Sequence, residues 1–167
     1  MPRQVYLIIN NIRSAYNVGS ILRTADGAGV TKIFVCGICP KPNDEKVKKT
    51  ALGAEKEVSW EYHKQTWRLL KKLKNENSKI KILALERFDP SIKFRASKLD
   101  VINIFKYSPP KNYDLAIIVG NEVTGLNKKI LSYADKIVEI PMLGKKESLN
   151  VSVATGIALY TILNKKV

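Results

Sequence analysis

The chain has 167 residues, of which 45% are hydrophobic and 8% aromatic. That is enough for one packed core and too apolar for wholesale disorder. Lys and Arg total 29 against 15 Asp and Glu, a net charge of +14. The isoelectric point of about 9.8 passes the ~9 that marks many nucleic-acid-binding domains. No apolar run reaches the ~18 residues of a membrane span, and two cysteines cannot frame a disulfide scaffold. The run Val5-Tyr6-Leu7-Ile8-Ile9 is too short for a secretion signal and lacks a small-residue cleavage site. A cytoplasmic protein is expected.

Val5 to Asn10 reads as a strand buried on both faces. A helix comes next, from about Val18 to Ala28, with Asn17 as its cap, Ile21, Leu22 and Ala25 on one face, and Gly29 as its stop. Lys32 to Gly37 is a second strand, and Ile38 to Glu45, with Pro40, Pro42 and Asn43, a loop. Lys46 to Ala54 reads as a short helix and Glu57 to Tyr62 as a strand. Lys64 to Asn77, with Trp67, Leu70 and Leu73 on one side and lysines elsewhere, is an amphipathic surface helix. Lys79 to Glu86 and Leu115 to Val119 are strands, Lys128 to Ala134 a short helix, and Lys136 to Ile140 a strand ended by Pro141. Leu149 to Asn164 is a closing helix with Val151, Ala154, Ile157, Ala158 and Ile162 facing inward. Phe88 to Lys111 gives no clear pattern.

Strands alternating with helices at short intervals imply an α/β domain with a mostly parallel sheet flanked by helices. Nothing in composition splits the chain. Ligands in such sheets bind beyond the carboxyl ends of the strands. The candidate positions are therefore the residues immediately after Asn10, Glu86, Val119 and Ile140.

Three segments there carry polar and glycine chemistry. Asn11-Ile12-Arg13-Ser14-Ala15-Tyr16-Asn17-Val18-Gly19-Ser20-Ile21-Leu22-Arg23-Thr24-Ala25 sets two arginines around a helix start. It reads either as a phosphate grip or as a capped helix with solvated arginines. Ile117-Ile118-Val119-Gly120-Asn121-Glu122-Val123-Thr124-Gly125-Leu126 ends a strand on a glycine that permits close backbone approach to a ligand. The other reading is an ordinary strand–turn junction, and a Walker loop is excluded because Leu126 and Asn127 stand where Lys and Ser/Thr belong. Ile140-Pro141-Met142-Leu143-Gly144-Lys145-Lys146-Glu147-Ser148-Leu149-Asn150-Val151-Ser152 is a basic loop opening a helix, for which capping by Ser148 alone is a sufficient explanation.

Other signals carry less. Cys36-Gly37-Ile38-Cys39 has no second ligand pair for a structural zinc, so no metal site is expected. His63, the single histidine, has no nucleophile motif beside it. Gly27-Ala28-Gly29 lacks the third glycine of a dinucleotide fingerprint. The lysines at 46, 48, 49, 71, 72, 74, 79, 81, 145 and 146 exceed what solubility needs and point to a polyanion.

Taken together and in this order, the patterns N-x-R-x-x-x-N-x-G-x-I-x-R-T-A, I-V-G-N-E-x-x-G-L and I-P-M…S-L-N-V-S-V-A resemble the three motifs of the TrmH (SpoU) family. That family belongs to the SPOUT superfamily and consists of RNA 2′-O-ribose methyltransferases. The resemblance runs from Asn11 to Tyr160 and implies a single SPOUT-type domain over residues 1–167. It implies a deep trefoil knot over about 115–167, made by the second and third motifs with the final helix threaded through. It implies S-adenosyl-L-methionine held by Gly120, Ile140 and Leu149, with Leu85, Glu86, Val119, Met142 and Ser148 around them. Arg23 matches the family's catalytic arginine, and Asn17, Glu122, Ser148 and Asn150 its other polar active-site positions. A homodimer is implied, with the first and final helices near the interface and each active site drawing on both protomers. Asn11, Arg13, Arg23, Lys145 and Lys146 are the expected RNA contacts. Relatives carrying an extra RNA-binding domain have no counterpart here, so the target, transfer or ribosomal RNA, stays open.

The implied reaction moves a methyl group to a ribose 2′-hydroxyl, an oxygen that only RNA carries. A guanidinium is almost never neutral, so Arg23 is expected to orient the hydroxyl and steady the developing charge, with or without taking the proton. A non-catalytic RNA-binding homologue is the alternative, disfavoured by the intact Arg23, Glu122, Ser148 and Asn150. A nucleotide-dependent enzyme of another kind is disfavoured by the incomplete phosphate fingerprints.

Overall fold

The computed structural model describes residues 2–87 and 101–164. Its elements in chain order are β1 (Val5–Asn10), α1 (Ala15–Gly27), β2 (Lys32–Cys36), α2 (Glu45–Ala51), α3 (Ala54–Glu57), β3 (Ser59–His63), α4 (Thr66–Glu76), β4 (Ile80–Leu85), β5 (Val101–Asn103), β6 (Asp114–Val119), α5 (Lys128–Leu131), β7 (Lys136–Glu139) and α6 (Val151–Leu163). The strands form one seven-stranded sheet in the order β3-β2-β1-β6-β4-β7-β5, and every pairing is parallel. The α/β class and parallel sheet expected from the sequence are therefore present.

The continuous apolar runs mark the strands covered on both faces. Leu7, Ile8 and Ile9 of β1 and Ile117 and Ile118 of β6 are wholly buried, and their side chains alternate between two cores. One core packs α1, α2, α3 and α6 on the sheet through Val18, Ile21, Leu22, Val47, Ala54, Ala158, Leu159 and Ile162. The other packs α4 and α5 through Leu69, Leu70, Ile130 and Leu131. Burial of side chains this size contributes roughly 1.5–3 kcal/mol each before the entropy cost is set against it. Because every pairing is parallel, all seven strands bring their carboxyl ends to the same rim, the edge where such sheets bind ligands.

Several boundaries differ from the sequence reading, each for a local reason. The first helix starts at Ala15 because Ser14, in extended conformation, is the N-cap and its Oγ accepts from the Asn17 N–H at 3.3 Å. Asn17 therefore lies inside the first turn, its side chain free for other work. The helix expected over Lys46 to Ala54 is two, broken where Leu52 (φ 51°) and Gly53 (φ 96°) turn left-handed. The closing helix is capped by Asn150, not Ser148. Asn150 Oδ1 accepts from the N–H groups of Ser152 at 2.9 Å and Val153 at 3.4 Å. Of the patternless stretch 88–111, residues 88–100 lie outside the described residues, and 101–103 form the edge strand β5.

Candidate active site

Three strand exits open onto one cleft. Leu85 and Glu86 mark the exit of β4, Val119 and Gly120 end β6, and Ile140 and Met142 come just after β7, with Ser148 and Leu149 arriving just before α6. The cleft holds about 110 Å³ of cavity space and opens to solvent at its mouth. Its walls are mainly apolar, and Glu86, Glu122 and Glu147 bring carboxylates to its edge.

Glycine fixes the shape of this rim. A Cβ on Gly120 would sit 2.9 Å from the Gly125 carbonyl carbon and 2.8 Å from Leu126 Cδ2, so the strand exit and the returning turn meet backbone to backbone. Gly125 itself is left-handed, and a Cβ there would strike the Glu86 carboxylate at 2.6 Å. Glu86 Oε2 accepts from the Leu126 N–H at 2.8 Å, tying the β4 exit to the β6 turn. Asn121 braces the same turn. Its Oδ1 accepts from Val123 N at 2.8 Å, and its Nδ2 donates to the Asn11 carbonyl at 3.1 Å.

The polar residues singled out by the sequence divide into groups. Asn17 Nδ2 donates to Glu122 Oε1, and Asn17 Oδ1 accepts from Asn150 Nδ2 at 3.1 Å. One amide thus links α1, the turn after β6 and the cap of α6. Ser148 lines the cleft and is exposed. Asn11 is left-handed at φ 56°, and its Oδ1 accepts from Ile38 N at 3.1 Å, so its side chain scaffolds the rim. Arg13 is exposed at the approach to α1, and Lys145 and Lys146 are exposed on the loop before α6.

Arg23 does not line this cleft. It lies on the exposed side of α1 in a second groove with Ser20, Thr24, Lys49, Thr50, Leu52 and Tyr160. Two cleft residues escaped sequence reasoning, Arg87 and Glu147, whose Nη1 and Oε2 lie 3.1 Å apart across the opening. Glu147 sits inside the third motif, so its position was visible there, but its partner on another element was not.

The remaining sequence signals are structural. Cys36 and Cys39 are buried free thiols. Burial pushes Cys36 up to about 12 and Cys39 up to about 11. Cys39 Sγ accepts from the Ile12 N–H at 3.1 Å. His63 packs edge-on to Phe34 and faces Glu61 at 2.8 Å. No cluster able to hold a metal occurs among the described residues.

A parallel sheet with a cleft formed where three strand exits meet, and a helix start closing it, defines an α/β domain with a ligand site at the carboxyl rim of its sheet. The chain belongs to the SpoU rRNA Methylase family, which it matches over residues 4–160. It is 30% identical over 152 residues to the tRNA (guanosine(18)-2′-O)-methyltransferase of Escherichia coli K12, covering 91% of this chain and 59% of that protein. It is 29% identical over 164 residues to the 23S rRNA (guanosine-2′-O-)-methyltransferase RlmB of Xanthomonas axonopodis pv. citri, covering 98% and 60%. The chain thus spans about 60% of the length of these curated relatives. Among solved structures, the A. aeolicus TrmH/SpoU tRNA modifying enzyme superposes with a TM-score of 0.75 at 29% identity, over 95% of this chain and 74% of that one. The AdoMet-bound rRNA methyltransferase from Sinorhizobium meliloti gives 0.82 at 22% identity, over 96% and 56%, a likeness of fold.

Proposed function

We propose that this chain forms the catalytic domain of an S-adenosyl-L-methionine-dependent methyltransferase acting on a ribose 2′-hydroxyl of transfer or ribosomal RNA in the cytoplasm. The observation that carries the reading is the convergence of three strand exits on one cleft, with the Glu122–Asn17–Asn150 network at its edge. Membership of the family and the names of the relatives support it, as does the charge of +14, which suits a phosphate backbone.

The cleft fits the cofactor. Leu85, Val119, Ile140, Met142 and Leu149 offer apolar contact to an adenosine, and Gly120 lets backbone come close. Glu86 and Glu122 offer carboxylates to hydroxyls or to positive charge. When bound, S-adenosyl-L-methionine supplies an electrophilic methyl group on sulfur. The chain's own residues align the acceptor. Asn17 and Asn150 fix one another and Glu122, so the polar edge is preorganised rather than assembled at each turnover. Arg23 orients the 2′-hydroxyl and an adjacent phosphate through several N–H donors and steadies the charge on oxygen.

Since Arg23 opens onto a different groove from the cofactor cleft of its own chain, we infer a homodimer in which each arginine serves the partner's cleft. The surface supports this. The helix α6 is apolar nearly all round, and Val153 and Tyr160 on it are exposed, whereas a helix of that kind belongs in an interior or an interface. The trefoil knot over about 115–167, formed by the turns after β6 and β7 with α6 drawn through, is part of the same reading. So is a single domain over 1–167 in which the domain itself contacts RNA through Arg13, Arg23, Lys145 and Lys146, with Asn11 bracing the rim.

Titration calorimetry with S-adenosyl-L-methionine, paired with transfer of labelled methyl to RNA, tests the proposal. Arg23→Ala is expected to keep cofactor affinity within a few fold and to lose transfer. An equally active variant removes the role given to Arg23.

A further inference from the structure

Behind the cleft, on the opposite sheet face from α1 and α6, α4 and α5 lie side by side. Their buried residues, Leu69, Leu70, Ile130 and Leu131, point into the sheet, and the outward side is basic. Arg68, Lys71, Lys72, Lys128 and Lys129 are all exposed. Lys74, half-buried on the flank toward α5, pairs with Asp135 at 3.3 Å. Lys71, Lys72 and Lys128 form no ion pair among the described residues. Helical spacing puts Arg68, Lys71 and Lys72 on one ridge.

A tryptophan sits in the middle of this charge. Lys129 Nζ of α5 lies 3.6 Å from the centroid of the Trp67 ring on α4, and the Arg68 guanidinium lies 5.3 Å from the same ring. A lysine seated on an indole has already given up much of the rotamer freedom that binding a phosphate would otherwise remove. The ring therefore acts as a fixed seat for cations between two helices.

The strip also connects to the site. Helix α5 is capped by Asn127, the residue after Leu126, whose N–H is held by Glu86 at the cleft. Helix α4 begins where β3 has just ended, and its Thr66 Oγ1 donates to Asn10 Oδ1 at the carboxyl end of β1 at 2.6 Å. Both helices therefore start at the rim where the cleft opens.

We propose that the α4–α5 face, with Lys71, Lys72, Lys128 and the Trp67-seated Lys129, is a second RNA-binding surface that carries the phosphate backbone of the substrate away from the cleft. This rests on the reading of the chain as an RNA methyltransferase. RNA is favoured over an anionic membrane because the strip is continuous with the proposed catalytic rim. Its one tryptophan, Trp67, is half-buried with Lys129 seated over the ring, so it is not free to insert into lipid.

The triple variant Lys71→Glu, Lys72→Glu, Lys128→Glu tests it against a control of equal charge change, Lys56→Glu, Lys106→Glu, Lys111→Glu. The control lysines are exposed and belong to α3 and the 104–113 segment, whose buried residues pack in the other core. Binding to an in vitro transcribed transfer RNA pool and to an oligouridylate is measured across a salt series, with S-adenosyl-L-methionine affinity as the check on folding. The first variant is expected to bind RNA at least tenfold more weakly near 0.15 M salt. Its log–log salt slope should be shallower by about 2 to 3, the loss of three phosphate contacts. The control should stay within about threefold. Equal weakening of both variants, or wild-type binding by the first, overturns the surface. Wild-type protein that binds phosphatidylserine vesicles but neither RNA overturns it as well. RNA binding that depends on these lysines without any methyl transfer leaves the surface standing and removes the catalytic reading instead.

Discussion

Asn17 and Asn150 stand 133 residues apart in sequence, yet the Asn150 side-chain Nδ2 donates to the Asn17 side-chain Oδ1 at 3.1 Å. Because Asn17 passes its own N–H to Glu122, a change at this one position should be felt in two loops. Asn17→Asp replaces that donor with a carboxylate facing Glu122, and like charges in contact repel. Transfer activity is expected to fall at least tenfold, and the melting temperature by several degrees, equivalent to about 1–2 kcal/mol. Thermal melting at pH 7 checks this. A melting curve matching wild type throughout removes the structural weight given to the network.

Gly120→Ala is a test of the rim. The new Cβ meets backbone of Gly125, which cannot swing aside as a side-chain tip can. A stability loss of about 1–3 kcal/mol is expected, together with at least tenfold weaker binding of S-adenosyl-L-methionine in calorimetry. Unchanged affinity would mean that Gly120 does not shape the cofactor site.

Six of the seven strands and the loops after β6 and β7 were legible in the sequence because their signals are local, whereas the edge strand β5 carried no pattern. Continuous apolar runs gave β1 and β6, and Gly120 and Pro141 marked where strands stop. Long-range choices were not legible. Asn17 and Ser14 are both good caps, and only the distant partners Glu122 and Asn150 decide that Asn17 is used elsewhere. Ser148 and Asn150 compete in the same way at α6, and Asn150 wins by reaching two N–H groups. The separation of Arg23 from the cleft is set by which side of α1 faces the sheet, which motif spacing alone does not report. The pairing of Trp67 with Lys129 depends on α4 lying beside α5, a tertiary fact.

The Arg87–Glu147 pair spans the cleft opening with both side chains largely exposed, at 51% and 80%. Exposed pairs add little to folding, so Glu147→Gln should leave the melting temperature within about 1 °C. Its effect is expected on exchange. Dissociation of S-adenosyl-L-methionine, monitored by stopped-flow fluorescence, should quicken about two- to fivefold. Wild-type dissociation in the variant would show that the pair does not gate the opening.

The two cysteines give a pH dependence of definite sign. Their ordinary value is 9.0, and burial holds Cys36 at about 12 and Cys39 at about 11 in the folded chain. Below pH 9 both thiols are protonated folded or unfolded, and the full contribution to stability is present. As the pH rises from 9 through 11 to 12, the unfolded chain loses thiol protons first, so stability falls. Replacing both by Ala should flatten that part of the stability curve. At pH 8 the native protein should resist iodoacetamide for hours and react at both positions once unfolded. Rapid native alkylation would contradict the burial.

The most direct test of the central claim is analysis of the product. RNA incubated with the protein and methyl-labelled S-adenosyl-L-methionine is digested to nucleosides and separated by mass spectrometry. The account predicts label in 2′-O-methylnucleosides, absent with Arg23→Ala. Label on a base, or no label from protein that binds the cofactor, would contradict it.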